Sequence, residues 1–101
     1  MWREQLADIA RRLRGENPSE AERLLARHAA LCWIRLAEAE IQHAARTSGA
    51  HTLTGGAYWD KRLTTAQRRF TRACETLERV RMMRRRAAQI GAPAEAERRR
   101  A

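Results

Sequence analysis

Residues 59–86, WDKRLTTAQRRFTRACETLERVRMMRRR, decide how this chain is built. At ~100° per residue, Trp59, Leu63, Ala66, Phe70, Cys74 and Leu77 share one face. That is the three-and-four rhythm of an amphipathic α-helix, not the alternation of a strand. On the same wheel Lys61, Arg68, Arg72, Arg79 and Arg86 fall within about 40° of one another on the opposite side, with Arg62 and Arg69 flanking them. One segment therefore carries both an apolar seam and a basic ridge ~38 Å long. Glu75 interrupts the ridge and is spaced to pair with Arg79 one turn on. Beyond Val80 the pattern changes. Arg81 and Arg84 stand where the seam would continue, so the last two turns are expected to project past the core with basic groups on most sides. Met82 and Met83 add adaptable apolar contacts there.

Working outward, this helix is expected over residues 57–90, stopped by Gly91 and Pro93. Residues 91–101 then form a basic, disordered tail. On the other side, TSGAHTLTGGAYW is broken by Gly49, Gly55 and Gly56 and reads as a connection of about ten residues. Before it lies a helix expected over 18–46, with Asn17 as N-cap, Pro18 as the first helical residue and Glu20 completing a capping box. One of its faces holds Leu25, Ala29, Cys32, Leu36 and Ala39, and a second holds Leu24, Leu31, Ile34 and Ile41. A helix apolar on two sides packs against more than one neighbour. The first helix, over 2–14, aligns Trp2, Leu6, Ile9 and Leu13 and stops at Gly15. The expected fold class is all-α. Residues 1–90 form a single domain, a long antiparallel helical hairpin plus the N-terminal helix, making a three-helix bundle. So elongated a hairpin leaves apolar surface uncovered, and the chain is expected to form homo-oligomers.

The 101 residues carry a net charge of +9, nearly all of it from arginine, with Lys61 the only lysine. Its distribution is uneven: residues 1–58 hold eight basic and seven acidic side chains, and residues 59–101 hold thirteen and five. Such asymmetry points to an anionic partner. Guanidinium groups suit phosphate oxygens because their planar donors engage two at once. The residues expected to contact nucleic acid, RNA or DNA, through its backbone are Lys61, Arg68, Arg69, Arg72, Arg79, Arg84, Arg85 and Arg86. The function expected is that of a small, non-enzymatic accessory protein, one subunit of a larger ribonucleoprotein. The alternative is an oligomeric interaction scaffold with no nucleic-acid partner, or with a larger protein as partner.

Other motifs carry less. His28, Cys32, His43 and Cys74 could be assembled on paper into a zinc site, but the spacing matches no common zinc pattern, and packed core groups are the expectation. TGGAYW lacks the Lys-Ser/Thr ending of a phosphate-binding loop and reads as a turn with Thr54 as N-cap; Trp59 is assigned to the core and Tyr58 stays open. His51, Thr52, Thr54 and Asp60 lie close in sequence without the spacing of a nucleophile, base and orienting group. No catalytic residue, metal or cofactor is expected. No apolar run approaches the ~20 residues of a bilayer span. MWREQLADIA does not read as a signal peptide, and two unpatterned cysteines suit a reducing compartment. A cytoplasmic location is expected.

Overall fold

A computed structural model describes residues 2–47 and 53–100, with side chains from 55 to 91 in the second of these segments. The described chain is all helical: α1 (Trp2–Arg14), α2 (Glu20–Thr47) and α3 (Leu53–Arg100). They form a thin helical bundle with principal extents of 76 × 28 × 14 Å. Gly49, His51 and Thr52 lie outside the described residues.

Element boundaries differ from expectation in three places. First, α2 starts at Glu20, and its cap is Ser19, not Asn17. The Ser19 Oγ accepts the Glu22 backbone N–H at 3.2 Å, the N-cap to N3 bond of an S-x-x-E box. Asn17, with φ at +48°, belongs to the left-handed turn opened by Gly15, whose φ is +71°. Second, α3 starts at Leu53, which places Thr54, Gly55 and Gly56 inside the helix rather than before it. Third, α3 does not end at Ile90 but runs through Gly91 and Pro93 to Arg100. Alanine, glutamate and arginine, strong helix formers, surround the two breakers.

The core is built from small residues. Ala26, Ala29, Ala30, Cys32 and Leu36 of α2 and Ala73 and Leu77 of α3 are buried, with Leu13, Phe70 and Cys74 packed against Ala29, Cys32 and Ala73. Contacts between α2 and α3 run in opposite order along the two helices. Glu22 meets Arg84, the rings of Trp33 and Phe70 lie 5.2 Å apart, and His43 meets Asp60. α1 packs on α2, and its backbone does not approach that of α3. It reaches α3 through side chains, with Arg81 Nη2 donating to the Leu13 carbonyl at 2.5 Å. The two apolar faces of α2 are not equally used. Leu24 and Ile41 stay 62% and 70% exposed, while Leu31 and Ile34 are half-buried.

Among the described residues the one fully buried charged side chain is Glu22, at 0% exposure. It lies on the α3-facing side of α2, where Arg84 Nε donates to its Oε1 and Arg84 Nη2 to its Oε2 at 3.3 Å. Arg81 Nε stands 4.0 Å from Oε2, and the Ser19 hydroxyl donates to Oε1 at 3.2 Å. Removal from water disfavours the carboxylate, but the Arg84 hydrogen bonds and charge, the Ser19 hydroxyl and the Arg81 charge outweigh that and hold its pKa below the ordinary value. The expectation that Arg81 and Arg84 project free of the core is therefore corrected. Both continue the seam of α3 as its ionic end, against the α1–α2 corner.

Candidate nucleic-acid interface

Because Trp59, Leu63, Phe70 and Leu77 turn toward α2, the residues half a turn away face water. Lys61, Arg68, Arg72, Arg79 and Arg86 are all exposed. None of the five lies within ion-pair distance of a carboxylate among the described residues, and the anticipated Glu75–Arg79 pair does not form. The acids that do hold arginines are elsewhere: Asp8 holds Arg11 and Arg12, Glu78 holds Arg81, and Glu22 holds Arg84.

Along the ridge runs a shallow groove lined by Thr64, Gln67, Arg68, Thr71, Arg72 and Glu75. Sequence reasoning missed Thr64, Gln67 and Thr71. These hydroxyl and amide groups can also donate to phosphate oxygens, as neutral and weaker partners of the guanidinium groups, and the signal was their recurrence every three or four residues beside the basic stripe.

The remaining expected site residues occupy different surroundings. Arg69 points toward α2, lining a cleft with Cys32, Arg35, Glu38 and Arg62. Arg85 is exposed beside the α1–α2 corner, in a polar groove with Arg14, Gly15, Glu16 and Asn17. Arg84 is committed to Glu22. Five of the eight residues thus share one line, Arg69 and Arg85 lie off it toward α2 and the α1–α2 corner, and Arg84 is spent on the fold.

At the opposite end of α3, cations gather on aromatic rings. Arg46 and Arg62 each stand 5.4 Å from the Trp59 ring, and Arg62 Nη1 donates to the Tyr58 hydroxyl at 3.2 Å. Tyr58 meets Trp59 edge-on, with centroids 5.1 Å apart. Trp59 is half-buried and Tyr58 exposed.

The four paper zinc ligands separate. His28 Nε2 lies 3.7 Å from Cys32 Sγ, while His43 Nε2 is 2.5 Å from Asp60 Oδ1. Cys74 packs against the core cluster, where burial and then the neighbouring Cys32 and Glu78 push its thiol pKa up. Both cysteines are free thiols. No helix among the described residues is long and apolar enough to cross a membrane.

No family model, curated protein or solved structure matches the chain.

Proposed function

We propose that the protein is a non-enzymatic binding module that grips nucleic-acid backbone, RNA or DNA, along the outer ridge of α3, as an accessory subunit of a larger ribonucleoprotein. The observation that carries this reading is the set Lys61, Arg68, Arg72, Arg79 and Arg86: exposed, aligned, and without carboxylate partners in the described chain. The scaffold for the ridge is an antiparallel hairpin of α2 and α3 with α1 laid against α2, a reading supported by the reversed order of the contacts. Contacts of this kind position a polyanion without reading its sequence. A cytoplasmic setting suits the two free thiols.

Titrating labelled generic RNA and duplex DNA with the protein at rising salt tests the reading. Measurable affinity at about 50 mM salt that falls by several powers of ten per tenfold rise in salt is expected. Negligible binding at the lowest salt would set it aside. The second reading, an interaction scaffold, is favoured by the exposed Trp2, Leu24, Ile41, Met82, Met83 and Ile90.

A further inference from the structure

The outer side of α2 carries Leu24, Arg27, Leu31, Ile34, Glu38 and Ile41, with Glu38 at the edge of the strip, where it also borders the cleft shared with Arg62 and Arg69 of α3. Their spacing, three and then four residues in alternation, is that of heptad positions a and d, and it gathers them into an arc of about 100°. Among the described residues nothing covers the ends of this strip: Leu24 and Ile41 are the exposed aliphatics of α2, and Arg27 and Glu38 are exposed as well. Arg27 and Glu38 have no ion-pair partner among the described residues. α1 flanks the strip, where Trp2, Leu6, Ala7 and Ala10 line a groove together with Arg27.

The order of the six residues identifies the occupant. Read from either end the strip runs apolar, charged, apolar, apolar, charged, apolar, and its two charges are opposite. Laid against a copy of itself in the antiparallel sense, about a two-fold axis between residues 32 and 33, Leu24 meets Ile41, Arg27 meets Glu38, and Leu31 meets Ile34. Each pair occurs twice, as a two-fold interface requires. A parallel pairing would set Arg27 on Arg27 and Glu38 on Glu38, so the charges select the direction.

We infer that the outer face of α2 is a homodimer interface, in which two copies of this chain pair antiparallel through Leu24, Arg27, Leu31, Ile34, Glu38 and Ile41. The charged layers set register and direction at some cost in stability, as polar groups at these positions do in coiled coils. The strip is ~26 Å long, too short for the large interface of an obligate dimer, so the dimer exchanges with a folded monomer. The ridge of α3 lies on the far side of the bundle and stays uncovered. The inference therefore stands apart from the nucleic-acid reading, and its test uses no nucleic acid.

Sedimentation equilibrium of the full chain, from about 1 to about 200 µM, reads the outcome. The mass is expected to rise from 11.7 kDa toward twice that value. Arg27→Glu and Glu38→Arg each place like charges together twice and raise the dimer Kd by about tenfold or more, and combining them restores it to within about threefold. Ile41→Asp, at an exposed position that the monomer fold does not use, weakens the dimer likewise. Far-UV circular dichroism confirms that each variant stays helical. A helical wild-type chain that keeps the monomer mass at the highest concentration overturns the inference. So does a dimer indifferent to the single charge reversals, or a double reversal that fails to recover.

Discussion

Replacing Arg68, Arg72 and Arg79 together with glutamine removes three of the five ridge charges and leaves the fold alone. All three side chains are exposed and unpaired, and glutamine is nearly as good a helix former as arginine. Each neutralised phosphate contributes about 0.9 to the log–log slope of affinity against salt on duplex DNA, so five contacts give a slope of about −4.5 and two give about −1.8. Between about 50 and 200 mM salt the wild type then loses roughly 500-fold in affinity and the triple variant only roughly twelvefold. Fluorescence anisotropy of a labelled 20-base-pair duplex, titrated at four salt concentrations, measures both slopes. The decisive quantity is the difference, about 2.7, because uncertainty about flanking contacts such as Arg69 and Arg85 cancels in it. Equal slopes for the two proteins would refute the argument: the ridge would then lie outside the contact, whatever the absolute affinity.

Leu77, 2% exposed and the most deeply buried large apolar side chain among the described residues, should cost about 3 kcal/mol as Leu77→Ala, and thermal melts should show the midpoint falling by more than 10 °C or so. Gly15 holds a φ of +71°, so Gly15→Ala should destabilise by about 1 kcal/mol, readable in the same melts; an unchanged midpoint would mean that the turn relaxes freely. The pKa of Glu22 lies below its ordinary value of 4.5, so its stabilisation is complete above that value and drains away as the pH falls through the depressed one. Melting-temperature profiles from about pH 6 to about pH 3 should therefore be flatter for Glu22→Gln than for the wild type, which would be the more stable of the two at neutral pH. Parallel profiles would show that the buried carboxylate does not govern the acid limb.

The three helices and the outward ridge were legible because periodicity alone places them: Trp59, Leu63, Phe70 and Leu77 define the inward side of α3 without knowledge of any neighbour. Partnerships between helices were not legible. Arg81 and Arg84 fall on the inward side of α3, where by periodicity alone they read as the end of the core, while Glu22 falls on the inward side of α2. Each looks like a break in an apolar pattern, and only the register between the helices shows that the breaks cancel. The Ser19 cap was readable, since S-E-A-E is a capping box, but Asn17 followed by Pro18 imitated the same signal two residues earlier. The continuation of α3 past Gly91 and Pro93 was hidden for a different reason. A single breaker weakens a helix by a finite amount, which the helix formers on both sides can offset.

The dimensions of the bundle also govern how it moves through solution. Its radius of gyration is 20.0 Å, against the ~13 Å of a compact chain of about 100 residues. A slender body of this kind tumbles end over end slowly while spinning quickly about its long axis, and it drags like a heavier sphere. On a gel-filtration column a single chain would elute early enough to counterfeit a pair, so only a measurement of mass, blind to shape, can count the chains.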